Sequence, residues 1–434
     1  MDWALLILVL VFLVLMIANV PVAFCIGVST VCAIWTVNTE LPALSLVAQK
    51  MATGINKFAL LAIPFFVFSG LLMGRGGIAK RLIDAANVFV GPFRGGLAHV
   101  NAVTCMLFGS ISGSAAAAVS SIGGFMVPVM RRNGYHREFS ASITITAATT
   151  GLLIPPSNVM IVYSLATGGA VSIAAIFIAG ILPGILVGLA LMTVAGVISI
   201  RRNYGAGETV ALKEAVVRIV RAVPAMLLVI IILGGILRGI FTATEASAIA
   251  VVYSLLLSVV IYREVKISEL PGLLVQCGVI TSVVMLLVGT SMAMSWILAY
   301  QNIPQNLSAA LLGLTDNKYV ILLIINVLLL AVGTFMDMTP AVLIFTPIFL
   351  PVVKDLGMDP IHFGIVMIMN LCIGVCTPPV GTCLFLGCGI AETTVSRIIK
   401  HLLPFFGAMV FVLLITTFVP WLSMWLPRAL DLAK

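Results

Sequence analysis

Two short strings in this chain place backbone oxygen where chemistry could use it. Gly151-Leu-Leu-Ile-Pro-Pro156 and Gly374-Val-Cys-Thr-Pro-Pro379 share the spacing Gly-x-x-x-Pro-Pro, and both lie deep in apolar stretches. Adjacent prolines remove two backbone donors and clash with the preceding turn, so a helix entering either string has to break. Each break frees carbonyls and creates half-helix ends whose dipoles coordinate cations or attract anions without a full charge in lipid. Carbonyl and hydroxyl oxygens suit a hard cation, and sodium would fit such ligands by the same logic. One ion site would use carbonyls near Gly151, Ile154 and Pro156 with Ser110 or Ser112. The second would use Gly374, Thr377 and Pro379 with Gly333. A kink between packed helices is the plainer account of a single break; the duplication favours a functional pair.

Other reactive side chains are sparse. Asp337, in Gly333-Thr-Phe-Met-Asp-Met-Thr-Pro340, is an ionisable group in apolar surroundings, which makes it a functional candidate, with a solvated hairpin cap as the alternative. Glu245 closes Thr242-Ala-Thr-Glu245, a capping-box pattern, and Arg238 is near enough in sequence to pair with it. The eight cysteines sit in apolar context; Cys372 and Cys376 have helical spacing but no histidine nearby, so buried small hydrophobes are the better reading. His99, His136, His362 and His401 are scattered, and solvated or packed roles suffice for them. With neither a phosphate-binding Gly-Lys-Ser/Thr loop nor a His-Glu-x-x-His string, ATP-driven pumping and zinc proteolysis lack support, and no catalytic residue or covalently bound cofactor is expected.

The elements that must position these groups are membrane helices. The chain has 434 residues, 62% hydrophobic and 9% charged, with a mean hydropathy of +1.24. So much apolar surface needs lipid as solvent. Apolar segments long enough to cross roughly 30 Å of hydrocarbon as helices recur, without the alternation of a β-barrel. Trp3 to Ala18 lacks a basic leader and cleavage site, and reads as a membrane helix paired with Val22 to Val37. A polar stretch with Lys50 and Lys57 precedes a span from Phe58 to Met73. Gly74 to Arg94 then reads as an amphipathic arm in the interface. Gly96 to Pro128 is crowded with glycine and serine from Gly109 to Gly124, which favours a re-entrant hairpin over a tightly packed spanning helix. Further spans are expected at Ser172 to Ile200, Ala222 to Ile240, Thr242 to Tyr262 and Gly272 to Tyr300, with a polar amphipathic stretch from Gln301 to Lys318.

The second half repeats the first. Gly333, Pro351, Gly357, Pro378 and Pro379 follow the order of Gly109, Pro128, Gly134, Pro155 and Pro156, displaced by about 223 positions. Farther along, Gly389 and Pro404 answer Gly168 and Pro183 with a displacement of 221. Arg131, Arg132 and Arg137 outweigh Glu138 in one loop, whereas Lys354 faces Asp355 and Asp359 in its counterpart. By the positive-inside rule the first loop is cytoplasmic and the second outside, so the copies are inverted, with both termini outside. The net charge of +8 then reflects topology rather than nucleic-acid binding. Inverted repeats with interrupted helices are a recurrent plan for secondary transporters, with the binding site where the repeats meet. A passive channel or membrane scaffold is the competing class.

Phe108-Gly-Ser-Ile-Ser-Gly-Ser114, Gly151-Leu-Leu-Ile-Pro-Pro-Ser157, Gly239-Ile-Phe-Thr-Ala-Thr-Glu245, Gly333-Thr-Phe-Met-Asp337 and Thr377-Pro-Pro379 together resemble the large membrane subunit of the tripartite ATP-independent periplasmic (TRAP) transporters, DctM-like, in the ion transporter superfamily. The resemblance covers essentially the whole chain. It implies an all-α polytopic inner-membrane protein with an elevator mechanism, sodium symport and organic-acid uptake. The partners implied are a small four-helix membrane subunit, a periplasmic substrate-binding protein and the carboxylate itself. Ser157, Asn158 and Asp337 become expected substrate neighbours. The division expected is scaffold over 1–95 and 201–320, and transport repeats over 96–200 and 321–434. A stand-alone anion carrier of the same superfamily is the alternative. Arg238 stands where the family pattern leads one to expect a small or uncharged residue.

Overall fold

The computed structural model describes residues 3–37, 43–205, 210–315, 317–378 and 381–433, and every regular element in them is helical. Pro379, one of the expected ion ligands, lies outside the described residues. By length and apolarity eight of these helices can cross a membrane, or nine counting the bent pair Arg137–Leu153 and Asn158–Ala166. Burial separates the centre from the periphery. In Leu212–Leu237 only 22% of the apolar window is covered by protein, against 61% in Met338–Asp355. Ile230, Val275 and Val327 are correspondingly exposed, as lipid-facing side chains are.

The glycine-rich stretch folds back on itself. Gly96–Ser112 ends at Gly113, whose φ of 63° is the left-handed value that only glycine adopts cheaply. Helix resumes at Ala115 and continues to Arg132 through one π turn at Val119–Gly123. Near the base, Asn101 Nδ2 lies 3.6 Å from Met130 Sδ, 29 residues along the chain. A straight helix would hold them roughly 43 Å apart at 1.5 Å per residue, so the packed spanning helix is excluded. In the second half, Lys318–Phe335 and Met338–Asp355 are likewise joined by a tight turn at Met336 and Asp337. Residues of both, including Ala331 and Ile348, face one apolar cavity of about 390 Å³.

Each hairpin precedes an interrupted helix. Arg137–Thr150 passes through the 3-10 turn Gly151–Leu153 and an extended Ile154 before resuming at Asn158, bent by 49°. Pro360–Gly374 stops after Gly374 and resumes at Thr382. The outer halves cross over to the opposite repeat. Asn158–Ala166 packs along Met338–Asp355, while Thr382–Ile390 packs against Arg137–Thr150 and the first hairpin. Tyr163 Oη donates to Pro360 O at 2.6 Å, and the thiols of Cys372 and Cys376 donate to the carbonyls of Thr149 and Ile145. The cysteines thus behave as buried small groups with weak donors.

The surrounding helices depart from expectation in several places. The polar stretch around Lys50 is an amphipathic helix, Ala43–Ile55. The helix expected from Ala222 begins earlier, at Leu212, and takes in Lys213, Arg218 and Arg221, supported by the i,i+4 pair of Glu214 and Arg218. The arm is helical over Ile78–Val90, with Ile78, Leu82, Ile83, Ala85 and Ala86 turned inward. Thr242 and Glu245 form the capping box, and the Glu245 carboxylate is held by the Thr242 amide at 2.7 Å. That use of the carboxylate leaves no ion pair to Arg238. His362 is buried, bonded to Ser423 Oγ at 2.6 Å and to Thr417 O at 3.3 Å.

Candidate functional site

The two breaks meet the two hairpins in the same way. A Cβ placed on Gly151 would fall 2.6 Å from Gly109 Cα and 2.9 Å from the Ser110 amide; one on Gly374 would fall 2.5 Å from Gly333 Cα. Backbone therefore touches backbone at both places, which is why these four positions are glycine. Ser110 Oγ donates to Leu107 O at 2.8 Å, three residues back. Thr334 Oγ1 makes the equivalent bond to Ala331 O at 2.7 Å. Each hydroxyl keeps its oxygen lone pairs for a further partner. Thr334 occupies the place of Ser110 in the second copy; the Gly109-Ser110 and Gly333-Thr334 pairing was the signal for it.

At the first break, no donor among the described residues reaches the carbonyls of Ile154, Pro155 or Pro156, whereas Gly151 O accepts from Ile154 N at 3.3 Å. Ser157 Oγ is buried without a hydrogen-bond partner, as is Asn158 Oδ1. Buried polar atoms are normally paired, and here five successive residues, Ile154 to Asn158, leave oxygens without a partner among the described residues. At the second break, Thr377 Oγ1 donates to Ile373 O at 2.7 Å, and Gly374 O and Thr377 O accept from Thr377 N and Gly381 N.

In front of the breaks lies a cavity of about 720 Å³. Four helix N-termini open onto it: Ala115 to Ala117, Asn158 with Val159, Met338 with Thr339, and Thr382 with Cys383. N-termini carry unsatisfied amides and partial positive charge, so their convergence makes an anion-binding environment without a buried cation. Polar side chains from Ser112, Ser114, Ser120, Ser121, Thr339 and Gln276 add donors. Asp337 is the N-cap residue of Met338–Asp355, makes no side-chain capping bond, and is exposed to this cavity. Asp337 thus stands at the N-cap position and at the cavity wall without a side-chain capping bond.

Of the expected site residues, Ser112, Asn158 and Asp337 line the cavity. Gly151 meets Ser110 at the first break, with Ile154 N bonded to Gly151 O and Pro156 two residues on, and Gly374 meets Gly333 at the other, with Thr377 N bonded to Gly374 O. Ser157 faces inward rather than into the cavity. The sequence reading missed Ser120, Ser121 and Thr382, farther along the expected hairpin and broken helix, and Arg75 and Gln276, which come from other elements and meet them only in the fold.

Interrupted helices, paired hairpins and a cavity lined by four helix N-termini within an apolar helical body are the plan of a multi-pass membrane protein of the secondary-transporter kind. The family described as "Tripartite ATP-independent periplasmic transporter, DctM component" matches residues 9–422, and the chain belongs to it. It is 49% identical over 416 residues to the protein YgiK of Salmonella typhimurium, covering 96% of this chain and 95% of that one. It is 40% identical to the C4-dicarboxylate TRAP transporter large permease protein DctM of Pseudomonas aeruginosa, covering 89% and 90%. The isethionate TRAP transporter permease protein DctMQ of Oleidesulfovibrio alaskensis is 39% identical, covering 95% of this chain and 65% of that longer one. The solved YdaH transporter of Alcanivorax borkumensis shares the fold at a TM-score of 0.67 and 13% identity, covering 91% of each chain.

Proposed function

We propose that the chain is the large permease subunit of a sodium-coupled TRAP system that imports a carboxylate across the inner membrane. The observation that carries this reading is the convergence of four helix N-termini on one cavity, directly in front of a break with unpartnered carbonyls. An anionic substrate is drawn to the N-termini, and a cation beside it is held by oxygens of Ile154, Pro156 and Ser110 at one break and of Gly374 and Thr377 at the other. Each ligand lowers the cost of placing the other in a poorly hydrated site, which couples the two. Asp337 and Asn158 stand at the cavity wall as substrate neighbours, Asp337 accepting from donor groups of the cargo. The relatives named for C4-dicarboxylate and isethionate transport support small organic anions as the substrate class.

In the elevator scheme the repeats 96–200 and 321–434 travel as one body against a scaffold of 1–95 and 201–320. The crossover packing of the broken helices supports this division, because it ties each hairpin to the opposite repeat. A small membrane subunit and a periplasmic binding protein complete the system.

Reconstitution tests the proposal. Proteoliposomes containing this chain with both partners should accumulate a C4-dicarboxylate when sodium is high outside, and should lose accumulation when the gradient is collapsed or either partner is omitted. Uptake by this chain alone would mark a stand-alone carrier, and flux indifferent to sodium would mark a passive pore.

A further inference from the structure

Among the described residues the cavity has one cationic lining residue, Arg75, and it comes from the proposed scaffold rather than from the hairpins or breaks. Arg75 is the last residue of the helix Ala62–Arg75, with Gly76 as its cap. Its side chain is exposed and, among the described residues, has no acidic partner within 4.0 Å. Its neighbour Arg81 is used structurally, paired with Glu264 at 3.5 Å and stacked over Tyr262 at 3.7 Å. A Cβ on Gly76 would meet Ser258 and one on Gly77 would meet Glu264, so the Arg75 end of the helix lies beside the Arg263 to Lys266 connection, the end that the positive-inside expectation assigns to the cytoplasm. Gln276 and Ser120 line the same cavity.

We propose that Arg75 is a carboxylate-binding residue on the cytoplasmic side of the transport path, engaged only while the cavity faces inward. The inference rests on the elevator reading above. The N-termini of the hairpins and broken helices move with the cargo and hold it throughout, whereas a guanidinium fixed to the scaffold meets the cargo at one end of the stroke. A planar guanidinium with five donors matches a carboxylate in two parallel bonds, which an ammonium cannot reproduce. Arg75 would therefore set the affinity for substrate entering or leaving on the cytoplasmic side, with no part in the handover from the binding protein. An interfacial cation that merely complements a helix C-terminus has no such sidedness.

The experiment is dicarboxylate exchange in proteoliposomes holding the complete tripartite system in one orientation, with the apparent KM measured separately from each face. Arg75→Ala should raise the cytoplasmic-face KM about tenfold or more and change the external-face KM by less than about twofold. Arg75→Lys should recover only part of the loss, and its recovery also shows that the variant folds. An unchanged cytoplasmic KM, an equal change at both faces, or full rescue by lysine would overturn the proposal. If the wild-type system moves no carboxylate at all, the fault lies with the proposed function rather than with Arg75.

Discussion

At the scale of single residues, the glycines at the two contact points carry the sharpest expectations. Gly151→Ala drives a methyl group into Gly109 backbone, an overpacking that should cost about 1–3 kcal/mol. The thermal midpoint in detergent should fall and sodium-driven uptake should be lost. Gly124 offers a control, since a Cβ there meets nothing within 4 Å and the residue is helical. Gly124→Ala should be neutral or stabilising by about 0.5–1 kcal/mol. Asp337→Asn preserves shape and removes the charge at the cavity wall. Uptake should drop about tenfold or more, equivalent to ~1.4 kcal/mol, while the elution profile and melting curve stay as in the parent; unchanged uptake would leave Asp337 as a cap alone. The break glycines were readable in sequence because proline chemistry and the repeated spacing single them out. Arg75 and Gln276 were not, because a lone charge or amide at the end of an apolar span has the same local signature whether it faces a cavity or a headgroup.

Helices and their ends form the next scale. Thr242→Ala removes the hydroxyl that accepts from Glu245 N at 3.3 Å, and the loss of such a cap costs about 0.5–2 kcal/mol. A lowered melting temperature is expected with an unchanged sodium dependence, because the box lies outside the ion and substrate clusters. Tyr163→Phe deletes the 2.6 Å bond to Pro360 that joins a broken helix to the opposite repeat. Its cost should be about 1–3 kcal/mol, the range for leaving a buried acceptor unpaired, read again by thermal unfolding. Most spans, the arm over Ile78–Val90 and the first hairpin were legible from hydropathy, from charge spacing and from the cluster of glycine and serine. The helix Ala43–Ile55 was not, since a lysine and a glutamine in a short segment resemble a loop until tertiary packing supplies a partner for the apolar face. The start of Leu212–Leu237 was missed for a related reason: basic residues read as loop, although lysine and arginine are good helix formers.

At the scale of the whole molecule, the repeat was visible as a ladder of glycine and proline positions, and the fold turns that ladder into two equivalent backbone contacts. The crossover of the broken helices was invisible, because strings of Val, Ile and Leu do not say which repeat they pack against. Asp337 carries a further consequence. Its carboxylate belongs to the body proposed to travel, while Arg75 belongs to the part that stays, so the protein's own charge joins the electrical account of each cycle. When the empty cavity returns outward, an ionised Asp337 moves a negative charge away from a negative interior. A full crossing is worth about 2.3 kcal/mol per 100 mV, so membrane voltage should hasten that return, and Asp337→Asn should make it indifferent. Pre-steady-state currents from the empty carrier would thus report the charge state of one side chain at the tip of the second hairpin.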